Sequence, residues 1–88
     1  MKESFDVVWQ KILANQGGRF STKNNEFFTY RIENDKFIPL RPRIVAPNIP
    51  KSMVEQAYNL WPVSEFPQTI LASSYIFGLF NDARIVAK

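Results

Sequence analysis

The chain has 88 residues and a formal charge of +3, with 45% apolar, 22% charged and 15% aromatic residues, an ordinary globular composition and not a disordered one. It holds no cysteine and no histidine, which excludes disulfides, thiolate and imidazole zinc sites, cysteine nucleophiles and histidine acid–base chemistry. The length predicts one domain over residues 1–88. No apolar run approaches the roughly 20 residues that span a bilayer, and Met1-Lys2-Glu3-Ser4-Phe5 lacks an apolar leader, so the expectation is a cytoplasmic, bacterial-type protein with no membrane partner.

Phe5, Val8, Trp9, Ile12 and Leu13 form one apolar stripe at the 3.6-residue period, which predicts a helix over about 4–15. Ser4 is placed to cap it, Asp6 favours the first turn, and Gly17-Gly18 ends it. Beyond Gly18 the period changes to two. Arg19-Phe20-Ser21-Thr22 reads as a short strand, and Lys23-Asn24-Asn25-Glu26 as a turn. Phe28, Tyr30 and Ile32 alternate with Phe27, Thr29 and Arg31, so this segment reads as a strand with its first set facing the helices. After a second turn at Glu33-Asn34-Asp35-Lys36, Phe37-Ile38-Pro39-Leu40 restarts the pattern, with Pro39 implying a strand end or edge. These three strands make an antiparallel meander.

Residues 41–50 hold three prolines and read as a stiff connector. A second helix is expected from Pro50 or Ser52 to Trp61, with Ser52 and Glu55 at capping-box spacing, Asn48 as a competing cap, and Pro62 as its stop. Residues 62–69 form a loop, and a third helix runs from Ile70 or Ser73 to Asn81. Gly78 weakens that helix unless close packing requires it. Residues 84–88 are apolar enough to dock, as a short strand for example. The fold class is therefore α+β: an N-terminal helix, a three-stranded antiparallel meander, and two C-terminal helices packed on one sheet face. A bare meander is marginal in water and needs that cover.

The charge is uneven. Residues 19–51 carry Arg19, Lys23, Arg31, Lys36, Arg41, Arg43 and Lys51 against Glu26, Glu33 and Asp35, an excess of four. Such a segment attracts polyanions, although Lys and Arg on the outside of a hairpin also simply solvate it and protect its edges. Aromatics lie among these bases, as in sheets that stack unpaired nucleotides while cations hold the phosphates. Phe27 shares its face with Thr29 and Arg31, a face that either meets a ligand or lies under a helix. Arg41 and Arg43 flank Pro42 in extended chain, so both are candidates to reach one groove or one acidic patch.

Catalytic chemistry has little to work with. Asp6, Glu26, Glu33, Asp35, Glu55, Glu65 and Asp82 are the titratable acids considered, and nothing in their spacing sets a pair across a cleft. Glu33 and Asp35 fit turn formation, and with one Asn they lack the ligand count of a calcium loop. Gly17-Gly18 follows a helix, whereas a phosphate cradle precedes one. No enzyme activity, cofactor or metal is expected.

The order helix, three strands, helix resembles the double-stranded RNA-binding domain in topology. That family carries a lysine cluster at the start of its second helix, where Pro50-Lys51-Ser52-Met53-Val54-Glu55 supplies one lysine. The winged helix-turn-helix fits less well, because one helix and not two precedes the hairpins. Phe20-Ser21-Thr22, Phe27-Phe28-Thr29-Tyr30, Ser74-Tyr75-Ile76 and Asn81-Asp82-Ala83-Arg84-Ile85 together resemble a pattern of small uncharacterised bacterial proteins. That resemblance implies a structural role for Asp82 and Arg84, tying the end of the third helix to the sheet.

Two functional expectations follow. The first is a non-enzymatic nucleic-acid-binding module that uses Arg19, Lys23, Arg31, Lys36, Arg41, Arg43 and Lys51. The second is a protein-interaction or homodimerising adaptor with Phe27, Tyr30 and Phe66 as its surface, through an aromatic sheet face or the loop 63–66.

Overall fold

The computed structural model describes residues 2–70 and 72–87. Helix α1 spans Phe5–Ala14 and buries Phe5, Val8, Trp9 and Ile12, as the stripe requires. Ser4 is its N-cap, with Oγ accepting from Val7 N at 3.5 Å, and Asn15 closes it. Five short strand segments follow: β1 (Phe20–Ser21), β2 (Phe27–Glu33), β3 (Lys36–Arg41), β4 (Ile44–Val45) and β5 (Ile49–Pro50). Helices α2 (Lys51–Leu60) and α3 (Ser73–Phe80) complete the chain, giving an α+β fold with an antiparallel sheet.

The sheet is larger than a three-stranded meander. Its order is β1-β2-β3-β4, and β5 pairs with β3 further along the same edge. Leu40 faces Val45, whereas Phe37 faces Ile49, so the β4–β5 side contains one extra residue and bulges at Ala46-Pro47-Asn48. The proline-rich connector is thus an interrupted edge strand. Pro42 occupies its turn, Pro47 its bulge and Pro50 its last paired position.

Pro39 lies inside β3, opposite Tyr30, and not at a strand end. Its missing donor is tolerated for a geometric reason. Asn34 and Asp35, at φ 51° and 56°, form a two-residue turn of the I′ kind, so Glu33 and Lys36 are the hydrogen-bonded pair beside it. Alternation from there points the Pro39 backbone away from β2 and into the bulge, where the ladder is already broken.

One face of the sheet carries Phe20, Phe28, Tyr30, Phe37 and Ile49, all buried, and all three helices contribute to the same core cluster. Tyr30 donates its hydroxyl to the Ile12 carbonyl at 2.7 Å, which pins α1 to β2. The inner edge of β2 is covered by the chain after α1: Gly17 N donates to the Tyr30 carbonyl at 3.1 Å, and Ile32 N to Gln16 Oε1 at 2.7 Å.

Helix α2 begins at Lys51 without a side-chain cap, so neither Ser52 nor Asn48 serves as one. Its first amide instead donates to the Asp35 carbonyl at 2.9 Å, extending the β3–β5 ladder into the helix. At its other end the Lys2 ammonium donates to the carbonyls of Tyr58 and Trp61, where unpaired carbonyls and the helix dipole favour a cation.

Gly78 owes its place to close packing: a Cβ there would lie 1.7 Å from the Ser21 carbonyl oxygen. Residues 81–86 form turns and bends and not a strand, and Ile85 is fully buried; Lys88, the last residue of the expected strand, lies outside the described residues. Arg84 holds them, donating to the Arg19 carbonyl at 2.7 Å and to both Asp82 oxygens at 2.9 Å, with its guanidinium 3.9 Å from the Phe20 ring. Asp82 and Arg84 therefore do tie the end of α3 to the sheet.

Candidate interaction face

Alternation in β2 and β3 sends Phe27, Thr29, Arg31 and Glu33, and Lys36, Ile38 and Leu40, to the face opposite the helices. Among the described residues that face is uncovered. On it Phe27 is 57% exposed, Leu40 37% and Val45 99%, while Ile44, 46% exposed, pairs with Arg41 and projects from the other side of β4. Exposed aliphatics grouped on one sheet face are unusual for a monomer and mark contact surfaces.

A groove of about 420 Å³ runs along this face, lined chiefly by Thr29, Ile38, Leu40, Ile44, Val45 and Ala46. Its shape follows from the bulge, which carries Ala46-Pro47-Asn48 away from β3 and leaves Ile38 and Leu40 as the floor. Thr29 Oγ1 is buried there with no hydrogen-bond partner among the described residues. A second apolar cleft of about 290 Å³ lies at the far side of the molecule, between Lys2, Tyr58, Trp61, Pro62 and Val86.

The turn that forms one end of the groove is strained. Pro42 and Arg43 join β3 to β4, and Arg43 takes φ 62°, the φ pattern of a type II turn whose second central position favours glycine. Type II turns match strand twist poorly, in keeping with a β4 only two residues long. In this hairpin Arg41 and Ile44 are the hydrogen-bonded pair, so the Val45 amide and carbonyl point to the outer edge.

The seven cations singled out in the sequence separate into two groups. Arg19, Arg31, Lys36, Arg41 and Arg43 lie on or beside β2 and β3, and of these Arg41 lines the groove itself. Arg31 stands opposite Ile38, Lys36 is two residues before it, Arg41 and Arg43 lie at the turn, and the Arg19 guanidinium sits 3.8 Å from the Phe27 ring. Lys23 and Lys51 are elsewhere. Lys23 donates to the Ser64 carbonyl at 2.9 Å and lies over the Phe77 ring, and Lys51 lies over Trp9.

Arg41 and Arg43 do not act as a pair. Arg41 is only 17% exposed, bonded to Glu26 at 2.8 Å and within 3.4 Å of the Tyr75 hydroxyl. Those two hydrogen bonds raise its already high pKa, so it remains a cation fixed to the fold. Arg31 pairs with Glu33 at 3.3 Å, whereas Arg19, Lys36 and Arg43 make no ion pair among the described residues.

The aromatic surface needs a larger correction. Tyr30 is 1% exposed and Phe66 8%, so both belong to the core. Burial pushes the Tyr30 hydroxyl well above the usual tyrosine range. Phe66 packs against Trp61 and Phe77. Only Phe27 of the three is on the surface, and the groove beside it is aliphatic. Sequence reasoning misses Ile38, Leu40, Ile44 and Val45 as surface residues because apolar side chains in short strands read as core. The signal available is their position: Ile38 and Leu40 sit opposite Arg31 and Thr29, the polar set of β2.

No family model matches the chain, and neither does any curated protein or solved structure.

Proposed function

We propose that this chain is a non-enzymatic binding module that contacts another protein through the outer face of β2, β3 and β4. The observation that carries this reading is the uncovered aliphatic groove of Ile38, Leu40, Ile44 and Val45. Burying such side chains against a partner contributes roughly 1.5–3 kcal/mol for each one fully covered. The non-enzymatic part rests on the carboxylates: Glu3, Glu26, Glu33 and Asp82 each meet a Lys or Arg, so they serve to hold cations in place.

Nucleic-acid binding is the second reading, favoured by Arg19 over Phe27 with Arg31 and Lys36 on the same face. It ranks lower because aliphatic groove residues offer no flat surface for bases, and two of the five cations on or beside β2 and β3 are already paired with carboxylates.

The test is selection of a random displayed peptide library on the full chain, with Val45→Asp as the counter-target. Val45 is 99% exposed, so the substitution leaves the fold intact. The expected result is peptides held by the original chain and lost from the variant. Recovery of no such peptides, together with oligonucleotide binding that falls steeply between about 50 and 200 mM salt and ignores Val45→Asp, overturns this reading in favour of the second.

A further inference from the structure

We infer that β4 is the edge to which a second copy of this chain adds, antiparallel, with Val45 of one copy directly opposite Val45 of the other. The inference goes beyond the reading of the outer sheet face as a contact surface and does not depend on what that face binds.

The hydrogen-bond register leaves one residue to be paired. Arg41 and Ile44 exchange the bonds nearest the turn, so the Ile44 amide and carbonyl are turned to β3 and those of Val45 to the open edge. The opposite edge of the sheet is different, because β1 lies against α3 and the C-terminal turns. There Lys23 N donates to the Ser74 carbonyl at 3.1 Å, and Arg84 donates to the Arg19 carbonyl at 2.7 Å. Val45 is 99% exposed and Ile44 46%, on opposite sides of β4, so the open edge is apolar on both faces. An edge of that kind is a template for another strand.

The prolines decide which strand. The next outward position after Val45 is Pro47, which has no amide hydrogen, and on its other side β4 ends at Pro42 and Arg43 in the turn. A long strand from another protein finds one complete pair of bonds and then meets a missing donor. A second copy carries the same gap in the complementary place. About a two-fold axis at Val45, the two Val45 residues exchange both of their N–H···O=C bonds. Each Pro47 then falls opposite the turn of the other copy, where the ladder has already ended. On one face Ile44 comes beside the small Ala46 of the second copy, and on the other the two Val45 side chains form a β-branched cross-strand pair.

Charge permits this register. The two copies of Arg43 stand four residues apart along the paired strands, roughly 13 Å, beyond the screening length of about 8 Å at physiological ionic strength. Arg41, the other cation beside this edge, is already bonded to Glu26. The pairing joins the two sheets, and their outer faces become continuous through the row of Leu40 and Val45 from each copy.

Sedimentation of the original chain up to about 1 mM, high enough to populate weak self-association, is expected to show a mass rising towards twice that of the monomer. Val45→Pro removes the one outward amide at an edge position that accepts proline, and should stay monomeric over the same range. Val45→Thr keeps the amide and the β-branch, and should still dimerise. The chain has no cysteine, so Val45→Cys places one thiol per copy at the axis. The roughly 5.5 Å between Cα atoms of such a pair is a span that a disulfide bridges. Mild oxidation with copper–phenanthroline should therefore link Val45→Cys several-fold faster than Gln56→Cys, at an exposed position on α2. A strict monomer at every concentration, self-association that survives Val45→Pro, or equal linking at both thiols overturns the inference. A monomer that still holds Val45-dependent peptides overturns it while leaving the contact face standing. A dimer at this edge that selects no such peptides supports it and removes that face.

Discussion

Single residues in this chain do opposite things from those their type suggests. Gly78 lies within α3, where alanine is preferred by about 1 kcal/mol on helix propensity. The 1.7 Å approach of an added methyl to the Ser21 carbonyl outweighs that preference, since backbone cannot yield as a flexible side chain does. Gly78→Ala should therefore cost about 2–3 kcal/mol, lowering Tm by about 10–20 °C in a thermal melt. Thr29 is the reverse case. Its buried Oγ1 finds no partner among the described residues, so the isosteric Thr29→Val should gain about 1 kcal/mol, read as a higher midpoint in urea. Tyr30 shows why a residue's identity alone misleads: a tyrosine among cations suggests a stacking surface, yet its hydroxyl ends on the Ile12 carbonyl. Its parity with Phe28 and Ile32 is the better guide to where it lies.

At the scale of elements, legibility follows the length of the periodic signal. Helix α1 has ten residues and β2 seven, and both lie where their apolar spacing puts them. Segments β4 and β5 have two residues each, too few for any period, and they sit among prolines that ordinarily exclude strands. Pairing with β3 makes them strands, a long-range fact that local sequence does not carry. The start of α2 departs from its capping-box signal for a related reason, because its first amide is satisfied by Asp35 in a distant turn and not by Ser52. The β3–β4 hairpin has a cost built into its turn, where Arg43 takes φ 62°. Arg43→Gly should relieve about 1 kcal/mol of left-handed strain and raise Tm. A thermal melt of the variant beside the original chain checks it, and an unchanged or lower Tm would show that the turn holds no such strain.

Across the whole molecule, helices cover one side of the sheet and leave the other open, and each side has its own chemistry. On the covered side, burial raises the hydroxyl pKa of Tyr30, and of Tyr58, which donates to the Glu3 carbonyl at 2.6 Å. A folded pKa above the unfolded value near 10 means that stability is fully present below that pH and is lost as pH rises through the folded values. Urea midpoints should hold up to about pH 10 and fall beyond it, with tyrosinate absorbance appearing alongside unfolding. On the open side the groove and the strained turn lie together. The basic excess of residues 19–51 is legible in the sequence, but its division is not: Lys23 and Lys51 hold helices, Arg41 holds Glu26, and the remaining cations edge an aliphatic surface.

The central claim is that this open face, and not another part of the surface, is where the molecule makes contact. Backbone-amide NMR of the native chain titrated with anilinonaphthalene sulfonate, an apolar anion, tests it most directly. Saturable shifts confined to Thr29, Ile38, Leu40, Ile44 and Val45, and abolished by Val45→Asp, are the predicted result. Shifts centred on the cleft of Lys2, Tyr58 and Trp61, or no saturable shifts at all, would contradict it.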